Sequence, residues 1–136
     1  MIQDGLKALL LDDDTLGGLI GSNLFAVVLP RGYTYPATVY HTFSLTEDYD
    51  NEGPTGHKEI SLQLDSYGTS YASARNVANA AAAVLMPFVG TLSDGTKVKL
   101  ITLTQDMDMP YIPSAEVKGT AYRVMQQFRL VFNDAE

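Results

Sequence analysis

An alanine-rich segment, residues 70–86 (SYASARNVANAAAAVLM), constrains the fold more than any other part of this sequence. Thr69 or Ser70 can cap a helix at its start, and Pro87 ends that helix because proline cannot continue it. Apolar residues at helical spacing fall on one face: Ala74, Val77, Ala78, Ala81 and Leu85. Because alanine side chains are short, a helix with this face can lie close to a sheet. The segment therefore predicts a helix packed on β-strands.

Apolar segments, most of them alternating with polar residues, predict the strands that this helix covers. The predicted strands are residues 23–29, 37–45, 59–65, 97–104 and 119–132. The second and third form the most economical antiparallel pair, joined by a polar, acidic segment at 46–57 that we predict to be an exposed hairpin loop. A second loop is predicted at 105–118. The last strand places six residues on one face: Tyr122, Val124, Gln126, Phe128, Leu130 and Phe132.

The N-terminal residues predict two short helical segments before the first strand. Three leucines with the spacing of a helix face begin the first: Leu6, Leu9 and Leu10. Asp14 can cap a second helical turn, and Gly21 is placed as the residue that ends it. A turn rich in proline and glycine at residues 29–36 then leads into the strand at 37–45.

This order of elements predicts one α+β domain over residues 1–136. Its sheet is mostly antiparallel with four or five strands, and the alanine-rich helix and the N-terminal helical segment cover one face. Tyr40, Tyr122 and Phe128 exceed what a single helix layer would bury. We therefore predict that these three aromatic residues are candidates for a subunit interface.

The charge of the chain argues about its partners. The formal net charge is -7, and the nine Lys and Arg residues are scattered singly. The sequence therefore predicts that the chain does not bind nucleic-acid phosphates directly. No apolar run approaches the roughly 20 residues that cross a membrane. The start of the sequence lacks the cationic and small residues of a secretory signal, which favours folding in a cytoplasm.

No combination of residues typical of an enzyme is present. The chain has no cysteine and two histidines, His41 and His57, which are not in the spacing of a metal site. It also has no GxSxG elbow, phosphate loop or GxGxxG fingerprint. Asp106 and Asp108 alternate in a loop, where paired carboxylates are usually solvated. The sequence therefore predicts a protein that is not an enzyme and has no cofactor and no metal.

One acidic segment leaves a second interpretation open. Residues 48–59 (DYDNEGPTGHKE) carry acidic side chains at positions 1, 3, 5 and 12 of a twelve-residue loop and glycine at position 6, as a calcium-binding EF-hand loop does. However, Pro54 stands at position 7, and predicted strands rather than helices flank the loop. A calcium-binding loop in a binding module of another kind is thus the alternative to a solvated hairpin tip.

The order of four segments carries a family resemblance. Leu11, Asp14, Leu19, Ile20 and Gly21 mark the helical start, and the turn LPRGYTYPATVY, the strand EISLQLDSYG and the alanine-rich helix follow. Together these segments resemble the tail-completion or tail-terminator proteins of long-tailed bacteriophages, and the resemblance covers nearly the whole chain. The closing strand, with Arg123 and Phe128, is also similar to that family's last strand.

The resemblance implies a virion protein that forms a ring of identical subunits, commonly a hexamer, at the head-proximal end of the tail. Such a ring ends polymerisation of the tail tube protein and joins the tail to the head-tail connector protein. DNA would pass through the lumen without specific binding, and no membrane is involved. The protein would be in the host cytoplasm during assembly and in the tail afterwards. Four acidic residues are candidates for a lumen or an inter-ring loop: Glu47, Asp48, Asp50 and Glu52.

Overall fold

Three helices lie on one face of a six-stranded sheet in the part of the chain that the structure, a computed structural model, describes. The described residues are 2–27, 36–51, 53–109 and 122–133, with the side chains at 48–50, 54–56 and 109 left aside. The elements are α1 (Ile2–Asp12), α2 (Asp14–Ile20), β1 (Leu24–Ala26), β2 (Ala37–Asp50), β3 (Gly53–Gly68), α3 (Tyr71–Leu85), β4 (Gly90–Thr91), β5 (Lys97–Met109) and β6 (Tyr122–Asn133).

The strand order in the sheet is β1-β2-β3-β6-β5-β4. All neighbours are antiparallel except β1 and β2, which run parallel, so the sheet is mixed. The α+β class is confirmed, whereas the described residues form six strands instead of the expected four or five. The additional strand β4 has two residues, which is too short to produce a periodic pattern. Periodicity also carries no information about the direction of a strand, so the parallel pairing of β1 could not be read from it.

Helix α3 confirms the prediction made from the alanine-rich segment. The Ser70 hydroxyl accepts a hydrogen bond from the Ser73 backbone N–H at 3.1 Å, and the helix runs to Leu85, two residues before Pro87. The five residues of its predicted face are all fully buried: Ala74, Val77, Ala78, Ala81 and Leu85. Alanine-rich packing thus brings the helix down onto β3 and β6, as the short side chains require.

The first two helices are separated by a single residue, Asp13, which is the cap of α2. Its carboxylate accepts a hydrogen bond from the Leu16 backbone N–H at 2.9 Å, so the prediction that Asp14 fills this role was one residue late. Both aspartates are common capping residues, and only the backbone geometry distinguishes them. Gly21 ends α2 with a φ of 60°, a conformation that glycine adopts without strain.

Helix α1 is held on the sheet by apolar packing and by a side-chain hydrogen bond. Leu6 and Leu10 are buried in the same core as the sheet residues Leu62 and Phe128. The Gln3 side-chain amide also donates a hydrogen bond to the Thr42 hydroxyl on β2 at 2.8 Å. The N-terminal segment is therefore part of the helix layer, as the sequence predicted.

The acidic segment at 46–57 is mostly paired strand, so the prediction of a loop there was wrong. Strand β2 continues to Asp50, β3 starts at Gly53, and these two residues pair across the turn. Strand β5 likewise continues to Met109, inside the segment predicted as a second loop. Both extensions are polar and carry no apolar alternation, but backbone hydrogen bonds to a neighbouring strand do not require it. The turn predicted at 29–36 lies outside the described residues, except for Pro36.

Gly5 provides a test of how closely α1 approaches the turn before β5. A Cβ added at Gly5 would lie 2.5 Å from Asp94 Oδ1 and 2.7 Å from Leu92 Cβ, both closer than atoms can pack. We predict that Gly5→Ala lowers the free energy of unfolding by about 1–3 kcal/mol, as overpacking does. Urea denaturation measures the change.

The matched control is Gly18→Ala in α2, where an added Cβ meets no atom within 4 Å. This substitution should raise the free energy of unfolding by about 0.5–1 kcal/mol because alanine favours helix more than glycine does. Equal stabilisation by both substitutions would show that α1 does not lie against the 92–94 turn.

Candidate assembly surfaces

The sheet has two outer edges that are only partly covered in the described residues. Strand β1 pairs with β2 only at residues 38–40, and β4 pairs with β5 only at Lys97 and Val98. Beyond these short covers, no described strand pairs with the outer side of β2 at 42–50 or of β5 at 99–109. The outer edge of a strand presents backbone N–H and C=O groups that another chain can pair with. We call these two segments the β2 edge and the β5 edge.

Each edge contains a β-bulge. On β2 the register shifts between Phe43 and Thr46, and Ser44 has a φ of 57°, a left-handed conformation that is uncommon for serine. On β5 the register shifts between Val98 and Leu100. A bulge increases the local twist and interrupts regular pairing, so both edges are irregular where they are uncovered.

The sheet face opposite the helices carries exposed apolar side chains near both edges. Phe43 on β2 is 36% exposed and Leu100 on β5 is 45% exposed. The Phe43 ring lies 5.6 Å from that of His41 on the same strand. On the two strands between β2 and β5, the Arg129 guanidinium of β6 forms a bidentate ion pair with the Glu59 carboxylate of β3. One of its two contacts, from Arg129 Nη2 to Glu59 Oε2, is 3.1 Å. This pair lowers the pKa of Glu59, through its hydrogen bond to Arg129.

A second ion cluster ties α3 to β5. Arg75 Nη1 lies 2.7 Å from Asp106 Oδ1, and Nη2 contacts the carboxylate of Asp108. The Tyr71 hydroxyl donates to Asp108 at 3.1 Å, and the Gln126 amide donates to Asp106 at the same distance. The hydrogen bond from Arg75 holds the pKa of Asp108 below its usual value. Asp106 and Asp108 were predicted as solvated loop carboxylates, but they lie on a strand and are bound by an arginine.

A third ion pair is more deeply buried. Arg123 Nη2 on β6 lies 3.1 Å from Asp65 Oδ2 on β3, and the residue Asp65 is 5% exposed. The guanidinium carbon of Arg123 is also 5.9 Å from the centre of the Tyr67 ring, within the range of a cation–π contact. Sequence reasoning did not find this pair, since Asp65 was assigned only as the polar partner in an alternating strand. Strand register alone brings the two charges together.

The three aromatic candidates for a subunit interface lie in different environments. Phe128 is fully buried and Tyr40 is 8% exposed, both in the core between the sheet and the helices. Burial also raises the pKa of Tyr40. Two of the three candidates are thus covered by the helix layer of the same protomer. Tyr122, at the start of β6, is 43% exposed and has surface to offer to a neighbour.

The acidic candidates lie on or next to the long hairpin. Glu47 on β2 is 3.9 Å from the Lys58 ammonium on β3, so part of its charge is balanced within the protomer. Asp48 and Asp50 belong to β2, but their side chains lie outside the description, as does the whole of Glu52. The structure therefore brings no described carboxylate other than Glu47 to the tip region.

The hairpin does not have the shape of a calcium-binding loop. Residues of the 48–59 segment pair across the hairpin, Tyr49 with Pro54 and Asp50 with Gly53, instead of winding around a central ion. Glu59, the position expected to bind calcium with two oxygens, binds Arg129 with both. Among the described residues no group of three or more His, Cys, Asp or Glu side chains is placed to hold a metal ion. None of the described helices is long and apolar enough to span a bilayer.

Comparison with known proteins identifies a shared fold. No protein-family model and no curated protein sequence matches the chain. Among solved structures, a chain in the virion of a native gene transfer agent particle matches with a TM-score of 0.76 and 16% sequence identity. The match covers 98% of this chain and 95% of the other. The two chains therefore share one fold over almost their whole lengths.

The Arg75 cluster predicts a pH-dependent contribution to stability. Because the folded-state pKa of Asp108 is depressed, its carboxylate stabilises the fold above the ordinary aspartate pKa, and this contribution disappears as the pH falls through the lower folded value. In Arg75→Met we expect the pKa of Asp108 to rise toward the ordinary aspartate value, because the hydrogen bond that lowers it is lost. Carboxyl-carbon NMR titration of the folded protein measures it.

The same variant should lose less stability on acidification than the wild type, measured by urea unfolding from about pH 7 to about pH 3. Lys7→Met, on the exposed side of α1, is the control that removes one positive charge elsewhere. An unchanged pKa of Asp108 in Arg75→Met would contradict the assignment of Arg75 as the main cause.

Proposed function

We propose that this chain is a structural virion protein that forms a ring at the head-proximal end of a phage tail, where it ends tube polymerisation and joins the tail to the head connector. The fold shared with a chain of a gene transfer agent virion carries the proposal, because the likeness spans 98% of this chain. The resemblance of the sequence to tail-terminator proteins supplies the position within the tail. The partners would be further copies of the chain, the tail tube protein and the connector protein.

The surfaces of the protomer support an assembly role. Two long strand edges and an extended hairpin are available in the described residues, and such features pair readily with other chains. Tyr122 adds an exposed aromatic side chain at the end of the sheet away from the hairpin tip. We include Tyr122 in the proposed subunit contact.

The proposed role is not enzymatic. The arginines that lower the pKa values of Glu59 and Asp108 form ion pairs with them across two secondary-structure elements. The charge of each carboxylate is neutralised by its arginine. Catalytic carboxylates instead converge in a cleft with pKa values tuned toward the working pH. These shifts go in the opposite direction, which supports a structural use of the charges.

Electron microscopy of the purified protein, alone and mixed with tail tubes, tests the function directly. We expect closed rings of six subunits, seated on one end of each tube, and tubes of fixed length when the protein is present during tube polymerisation. Mass photometry gives the subunit number independently. Monomers that leave tube length and tube ends unchanged would contradict the proposal.

The acidic hairpin generates a separate prediction. Multiplied by ring symmetry, Asp48, Asp50 and Glu52, with the partly balanced Glu47, would present a negative rim that repels DNA phosphates and lets the genome slide. Replacing all four by Asn or Ser should slow DNA ejection and reduce infectivity. Ring formation is scored first by microscopy, so that an assembly defect is not mistaken for an ejection defect. Unchanged infectivity and ejection in variant particles with intact rings would contradict this role of the acidic residues.

A further inference from the structure

The β2 edge and the β5 edge carry complementary side chains at the same position along the strand direction. Register through the sheet connects Thr46 on β2, by way of Glu59 and Val131, to Leu100 on β5. The β2 edge and the β5 edge are therefore uncovered at the same level, on opposite sides of the protomer. A second copy placed beside the first without a shift along the strands therefore brings the β5 edge of one next to the β2 edge of the other.

Apolar side chains project at this level from both edges. Leu45 on the β2 edge is 57% exposed and Leu100 on the β5 edge is 45% exposed. Phe43, two residues before Leu45, adds a ring that is 36% exposed. Within one protomer these groups are separated by the width of the four central strands, so they cannot cover each other.

Opposite charges also lie at this level. Lys99 sits in the bulge of the β5 edge, is exposed, and makes no ion pair among the described residues. Glu47 lies on the β2 edge next to Leu45 and Thr46, with 29% of its side chain exposed and a 3.9 Å contact to Lys58. A carboxylate has two oxygens and can accept from a second ammonium group.

We propose that the β5 edge of one copy pairs antiparallel with the β2 edge of the next copy, with Leu100 beside Thr46, next to the apolar Phe43 and Leu45, and Lys99 beside Glu47. The inference names the contact that closes the proposed ring, and so it rests on the proposed function. Because β2 and β5 run in opposite directions within the sheet, two level copies present antiparallel strands to each other. The contact joins two different surfaces, which is the head-to-tail geometry that generates rings.

The bulges make this contact selective for a matching edge. A regular, apolar edge would pair with any exposed strand, whereas Ser44 and Lys99 interrupt the regular spacing of hydrogen bonds on both edges. Pairing then depends on a partner whose irregularity and charge match. A second copy of this chain meets both requirements, because it supplies the acidic edge to the basic bulge.

Disulfide trapping tests the pairing, using the double variant Leu100→Cys with Thr46→Cys, since these two positions lie in the same row of the sheet. The chain has no cysteine, so the introduced pair is the sole source of disulfides. The two positions are three strand spacings apart in one protomer, about 14 Å, whereas a disulfide needs Cα atoms within about 7 Å. We expect oxidation to give a ladder of covalent oligomers on a denaturing gel, and the largest should contain as many subunits as the ring. The control, Leu100→Cys with Asn79→Cys on the exposed side of α3, should give no ladder.

Charge reversal provides an independent readout. Lys99→Glu should weaken ring assembly about tenfold by placing like charges together, and Lys7→Glu, the same charge change on α1, should not. Covalent ladders together with this difference support the proposal.

The remaining outcomes overturn it. Rings seen by microscopy without a ladder would contradict the edge pairing but leave the ring function standing. A product that stops at the dimer would contradict the head-to-tail geometry. No ring and no ladder, with or without tail tubes, would contradict both the pairing and the proposed function.

Discussion

The pairing of β3 with β6 is the interaction on which the rest of the structure depends. Twelve consecutive residue pairs, from His57 with Asn133 to Gly68 with Tyr122, run without a register shift. This regular ladder fixes which residues of both strands point to the helices, because a slip by one residue would turn every side chain to the other face. Two ion pairs cross this ladder in the observed register, Arg129 with Glu59 and Arg123 with Asp65. Helix α3 packs against these two strands and transmits the same register to the helix layer.

Irregularity increases outward from this central ladder. The β2·β3 and β5·β6 ladders each contain two register shifts, and the outermost strands β1 and β4 are three and two residues long. A sheet that is regular in the middle and bulged at its margins resists pairing with arbitrary strands while keeping its core order. In this protein the cost of a bulge falls where few apolar contacts are lost, since Lys99 and Ser44 are exposed. The fold thus separates a regularly paired centre from irregular margins.

The parts of the fold that could be predicted from sequence are those where one face is buried. The alternation in β3 and β6 and the alanine spacing of α3 both report burial on one side, and the structure confirms them. The polar halves of the hairpin and the end of β5 at Asp106 and Asp108 gave no such signal, because backbone pairing holds them while both faces meet solvent or charge. The interface prediction shows the same limit. The sequence shows how many aromatic residues the strands carry, but not that the helix layer buries Tyr40 and Phe128 and leaves Tyr122 exposed.

The distribution of charge connects the fold to the proposed assembly. The three arginines in the described part of the chain, Arg75, Arg123 and Arg129, each bind a carboxylate on another element. Because these positive groups are taken up in holding the protomer together, the excess of acidic residues that gives a net charge of -7 is left for the surface. Like-charged protomers repel each other at long range, and they associate only where apolar contact and a local opposite charge outweigh the repulsion. In the proposed contact, the exposed Lys99 at the β5 edge supplies such a local charge.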